Sequence, residues 1–77
     1  MPSAPPPDWV LARRRAIGDR IRAARGERKL SQERLAELAG LDRQAINRIE
    51  QAHQSALLDN LIRIAEALDV PLAELVR

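Results

Sequence analysis

The stretch LSQERLAELAGLDRQAINRIEQ, Leu30 to Gln51, constrains this chain more than any other. It spells a helix start twice. Ser31 and Asp42 are short oxygen-bearing side chains suited to an N-cap. Each is bracketed by the two apolar residues of a hydrophobic staple, Leu30 with Leu35 and Leu41 with Ile46. Leu35, Leu38 and Ala39 give the first of these helices a stripe to bury, and Gly40 stands where a left-handed residue would stop it. Two helices joined across so short a turn must cross at a steep angle, which is the helix-turn-helix arrangement.

The second of the pair, residues 42–51, has two unlike sides. At about 100° per residue, Ile46 and Ile49 fall together and must face a core. Gln44, Asn47, Arg48 and Gln51 lie opposite, and Arg43 projects from the first turn. A merely solvated face would favour lysine and glutamate. Planar amides and guanidinium forks without an acid are instead the groups that read base edges in a major groove, arginine to guanine, glutamine or asparagine to adenine.

The flanks are also helical in pattern. MPSAPPP cannot be helix, so residues 1–8 are expected to form a flexible proline-rich arm ahead of a single domain, residues 9–77. Asp8 is a candidate N-cap. Val10, Ala16, Ile17, Ile21 and Ala24 recur at three- and four-residue steps and predict one amphipathic helix over residues 9–28, with Gly18 weakening its continuity and Gly26 fraying its end. Leu58, Leu61, Ile62, Ala65 and Leu68 predict a fourth helix. Asp69 ends it, and Pro71 suits the first turn of a fifth. The expected class is all-α, a compact five-helix bundle.

Composition narrows the function. The 77 residues include one aromatic, one histidine and no cysteine. A palette of alanine, leucine and isoleucine suits helices rather than a β-sandwich. Thiolate zinc sites and disulfides are excluded, and nucleophilic or metal catalysis lacks materials. His53 reads as a solvated loop residue rather than a pH switch or metal ligand. With no glycine-rich phosphate loop either, neither an enzyme nor a cofactor is expected. No apolar run is long enough for a signal peptide or a membrane span, so the expected location is the cytosol. Residues 1–30 carry eight basic and three acidic side chains, whereas the remainder carries five and eight. That asymmetry, with Arg13, Arg14 and Arg15 in a row, is suited to a nucleic-acid backbone.

Residues 17–76 resemble the helix-turn-helix domain of the Cro and phage-repressor type, the XRE-like family. IRAAR precedes LSQERLAELAGLDRQAINRIE, and LDNLIRIAEALDVPLAELV follows. The Ser-Gln helix opening, the Ala-Gly-Leu turn and the Ile-x-x-Ile-Glu ending form a specific signature only together. The resemblance implies a lambda-repressor-like fold that binds operator DNA, usually as a homodimer on a pseudo-palindrome, and regulates transcription, most often as a repressor. It makes Arg43, Gln44 and Arg48 base-reading residues, with Asn47 at a position of variable role. Gln32 resembles a phosphate-clamping glutamine, with Gln51 and Arg13 to Arg15 as further backbone contacts. Arg25 and Glu50 match a partly buried ion pair joining helices 1 and 3.

Departures from the family pattern lie in QAHQSALLDN. Ala52 takes the place of a glycine, so a left-handed residue there would be strained. His53, Gln54 and Ser55 replace basic residues, which weakens the loop's grip on phosphate; the arginines of helix 1 could compensate. Leu57 replaces a capping serine, leaving Ser55 as the candidate cap of helix 4. Trp9, Leu57, Leu72, Leu75 and Val76 are more apolar groups than one small subunit is expected to cover, and point to a dimer contact. The alternative is an antitoxin-like or adaptor module of the same fold, gripping a protein partner around Trp9.

Overall fold

The computed structural model describes residues 4–77 of the chain, so part of the predicted arm, residues 1–3, lies outside the described residues. Five helices follow in order: α1 (Asp8–Glu27), α2 (Gln32–Ala39), α3 (Arg43–Glu50), α4 (Leu58–Leu68) and α5 (Leu72–Val76). No strand occurs among the described residues. α2 packs on α3 and α4, α1 runs across α3, α4 and α5, and α5 closes on α4. Ile21, Leu35, Ile46, Ile64, Leu68 and Leu75 are the large side chains sealed at the centre.

The N-termini of the central pair are fixed by side chains. Arg34 N–H donates to Ser31 Oγ at 3.0 Å, and Ala45 N–H donates to Asp42 Oδ1 at 2.7 Å. Each cap satisfies one of the donors a helix start leaves open. The other starts are uncapped by side chains. Pro7, not Asp8, occupies the N-cap position of α1, and Asp8 is already in its first turn, where a carboxylate meets the positive end of the helix. Leu57 holds that position in α4, so Ser55 does not cap it; it lies too far upstream to reach the first turn.

Four helices end alike. Lys29, Gly40, Ala52 and Asp69 all have positive φ, between 56° and 71°. In each case that residue's own N–H and the next one turn back onto the helix. For α2 these are Gly40 N to Glu37 O at 3.3 Å and Leu41 N to Ala36 O at 2.9 Å. For α3 they are Ala52 N to Ile49 O at 3.1 Å and His53 N to Arg48 O at 3.0 Å. This is the paired 5→2 and 6→1 bonding that satisfies orphan carbonyls. Only one of the four stops is glycine.

Three stripe residues expected inside lie outside. Leu38 is 49% exposed, and Ala36 takes the buried place beside Leu35 and Ala39. In α4, Ile64 joins Ala65 and Leu68 in the core, while Leu58 and Ile62 face solvent. Helices of 8 and 11 residues leave the phase of a stripe ambiguous, and tertiary packing chooses it. α1 is unbroken through both Gly18 and Gly26.

Candidate nucleic-acid interface

α3 is held on its inner side with little freedom. Ile46 is fully buried and Ile49 nearly so. Beside them α1 comes so close that a Cβ on Gly18 would stand 2.5 Å from Glu50 O and 2.7 Å from Ile49 O. Only a residue without a side chain permits that approach. Two turns further along α1, Arg25 reaches the same residue. Its Nε donates to Glu50 Oε2 at 2.7 Å and its Nη2 to Glu50 Oε1 at 3.0 Å, while Nη1 donates to Leu30 O at 2.9 Å. The Glu50 side chain is only 2% exposed and that of Arg25 17%. The hydrogen bonds to Glu50 hold the Arg25 guanidinium above its ordinary value, against the opposing effect of burial. The guanidinium therefore stays charged, and neither member of the pair is free for DNA.

The outer side carries the residues expected to read bases. Arg43, Gln44, Arg48 and Gln51 are exposed, and Asn47 is half-buried among them. Arg48 Nη2 lies 3.5 Å from Gln44 Oε1, a long contact that either group can leave for a base edge. No acid interrupts this face. Glu50, the one carboxylate in α3, points inward.

The candidate backbone contacts divide. Gln32 stands at the first position of α2, but its Nε2 donates inward, to Asn47 Oδ1 and Glu50 Oε1, both at 3.2 Å. Its side chain acts here as a link between α2 and α3. Gln51 Nε2 donates to Asn47 Oδ1 at 3.1 Å. A polar cleft is lined by Arg22, Arg25, Gln32, Glu50 and Gln51. With Arg25 committed to Glu50, Arg22 is the cation of the cleft that has no ion pair among the described residues. Sequence reasoning missed Arg22. The signal available was its spacing, three residues before Arg25 and hence one turn away on the same side of α1. Arg13 and Arg14 come together with Gln54, Ser55 and Ala56 of the loop after α3, around an apolar groove of about 230 Å³. Arg15 is exposed and is not part of that groove.

Of the residues expected at a dimer contact, Leu75 is 1% exposed and belongs to the subunit's own core. α5 needs an anchor on α1 and α4, and Leu75 is the side chain that supplies it. Leu72 is half-covered against the same core. Trp9 and Leu57 remain 70% and 71% exposed, and Val76 is exposed as well. Leu58 and Ile62, one turn apart on α4, add to the uncovered apolar surface.

Residues 21–75 match the family model HTH_3, described as helix-turn-helix. The chain belongs to this helix-turn-helix family. The helix-turn-helix match takes in α2, α3 and α4 whole and starts after Arg13 to Arg15. Over 59 residues the chain is 36% identical to the control protein C.SmaI of Serratia marcescens, spanning 77% of this chain and 70% of that one. Its structure is similar to the restriction-modification controller protein C.AhdI from Aeromonas hydrophila, with TM-score 0.81, 39% identity and coverage of 83% and 97% of the two chains. It is also similar to the P22 c2 repressor in complex with a synthetic operator, with TM-score 0.74, 30% identity and coverage of 79% and 92%. The lambda-repressor-like architecture is thus common to this helix-turn-helix chain and its structural neighbours.

Proposed function

We propose that this chain is a sequence-specific double-stranded DNA-binding regulator of transcription, acting as a repressor, with α3 in the major groove of a pseudo-palindromic operator. The observation that carries the reading is the contrast across α3. An acid-free row of Arg43, Gln44, Arg48 and Gln51 faces solvent from a helix whose other side is locked by Gly18, Arg25 and Glu50. Base readout needs donors and acceptors held in register. The family membership and the repressor and controller relatives support the same class, one of regulators rather than enzymes. They lend nothing to the antitoxin or adaptor alternative.

Backbone phosphates are gripped by Arg22 and Gln51 at the polar cleft, by the first-turn N–H groups of α2, by Arg13 and Arg14 near the loop after α3, and by the exposed Arg15. Phosphate contacts of this kind set register and supply the salt-dependent part of affinity. The operator is bound by a homodimer. The supporting observation is that one subunit leaves Leu57, Leu58 and Ile62 around the start of α4, and Val76 of α5, uncovered. A two-fold pair places two α3 helices about one DNA turn apart.

Selection of bound duplexes from a random pool at two salt concentrations tests the reading, with the Gln44→Ala/Arg48→Ala variant as control. A two-fold motif lost in the control is the expected result. Salt-sensitive binding with no motif would overturn it.

A further inference from the structure

We infer that Asn47 acts on DNA as a hydrogen-bond donor only, and so selects the two acceptors of guanine rather than the donor–acceptor pair of adenine. The inference rests on α3 lying in the major groove and concerns what one of its side chains can say there.

An asparagine amide is ambiguous by itself, since its oxygen and nitrogen ends have the same shape. Here the ambiguity is removed by a chain of contacts that starts from groups without any. Arg25 can only donate, and it holds Glu50 by two bonds. The Glu50 carboxylate can only accept, so the Gln32 atom 3.2 Å from its Oε1 must be the NH2 nitrogen. That same nitrogen lies 3.2 Å from Asn47, which must therefore present its oxygen. Gln51 Nε2 donates to this Asn47 Oδ1 as well, at 3.1 Å. Both lone-pair directions of the carbonyl are then occupied by protein.

The other end of the amide is open. Asn47 Nδ2 donates to no group among the described residues, and no buried side-chain polar atom there lacks a partner. Nδ2 is therefore not sealed from solvent. An asparagine that pairs with adenine must accept from N6 while donating to N7. To do so, Asn47 would have to give up the bond from Gln32 or the one from Gln51. Guanine requires no such exchange, because its major-groove edge offers N7 and O6, both acceptors. The buried ion pair thus acts at the outer face through two side chains, Gln32 and Asn47, fixing the direction in which Asn47 donates.

The test uses selection from a random duplex pool with three proteins: the unaltered chain, Asn47→Ala, and Gln32→Met/Gln51→Ala. The Asn47→Ala variant marks the base pair that depends on Asn47, as the position where its motif relaxes. The unaltered chain is expected to require a G·C pair there. The double variant, which frees Oδ1, is expected to tolerate an A·T pair about tenfold better than the unaltered chain does, within the range one bidentate contact commands. An A·T pair in the unaltered chain's motif, no position that relaxes in Asn47→Ala, or no gain for A·T in a folded double variant would each overturn the inference. The first two arms decide it even where the double variant melts too low for selection. A complete lack of motif in the unaltered chain is a different failure, that of the operator reading itself.

Discussion

The two sides of α3 are built on opposite rules. On the inner side every group is held in place and has no room. Gly18 leaves no space for a methyl, Ile46 is fully enclosed, and Glu50 accepts from Arg25 and Gln32 at once. On the outer side Arg43, Gln44 and Arg48 are exposed, and their only mutual contact is one at 3.5 Å. Close packing stores stability and transmits any error of fit. Loose polar groups store none and remain available to a ligand. The difference teaches that the inner residues set where the outer ones stand. Substitutions should therefore divide cleanly: inner ones change folding and outer ones change binding.

The sharpest break of this division is Arg25→Ala. It leaves the Glu50 carboxylate buried without its cation, which costs about 3–5 kcal/mol of folding free energy. Chemical unfolding of the variant should show that loss, and a loss under about 1 kcal/mol would mean the fork is far more hydrated than its exposure indicates.

The glycines of α1 sharpen the comparison further, because one substitution should have two signs. Gly18→Ala drives a methyl onto the carbonyls of Ile49 and Glu50, and should destabilise by about 1–3 kcal/mol as other overpacked sites do. Gly26 has open space around its Cβ position inside the same helix. Gly26→Ala should stabilise by about 1 kcal/mol, the usual gain of alanine over glycine in a helix. Equal effects at the two positions, by thermal melting, would remove Gly18 from its place as the seat of α3.

Arg48→Ala tests the outer side. Folding free energy should move by no more than about 0.5 kcal/mol, since the side chain is exposed and holds one long contact. Affinity for the selected operator should fall by about 1–3 kcal/mol, with binding to random duplex much less affected. A parallel loss of both would place Arg48 on a phosphate instead.

How much of this was legible in the sequence follows the range of each signal. The caps at Ser31 and Asp42 were readable because a cap is a contact over three residues. The polar row on α3 was readable because 100° per residue is a local rule. The resemblance supplied the pairing of Arg25 with Glu50, which spacing alone does not give. Leu38, Leu58 and Ile62 were misplaced because a short helix with many apolar residues has more than one possible inner face. Leu75 reads as surplus apolar surface because nothing local says that α5 needs it as an anchor. Gly18 reads as a flaw in α1, since its reason is the carbonyls of Ile49 and Glu50, far along the chain in another helix. Arg22 went unnoticed for the same cause: its neighbours Gln32 and Gln51 come from α2 and from the end of α3.

The C-terminal stop of α3 lies where the two rules meet, and its predicted effect is small. Ala52 sits at φ 58°, doing what Gly40 does at φ 71° after α2. For an L-residue with a Cβ this conformation costs about 1–2 kcal/mol. The strain is held by the bonds from Ala52 N–H to Ile49 O and from His53 N–H to Arg48 O. Ala52→Gly should relieve it while giving part of the gain back as greater freedom of the unfolded chain. The expected net is a stabilisation of about 1 kcal/mol, a rise in melting temperature of roughly 4–8 °C for a domain near this size. Base preference should stay unchanged, because Ala52 lies beyond the outward row and the substitution leaves the backbone bonds in place. Should Ala52→Gly instead loosen the operator motif, the strained stop would prove to be part of what aims α3, and the inner rule would extend past the end of the helix.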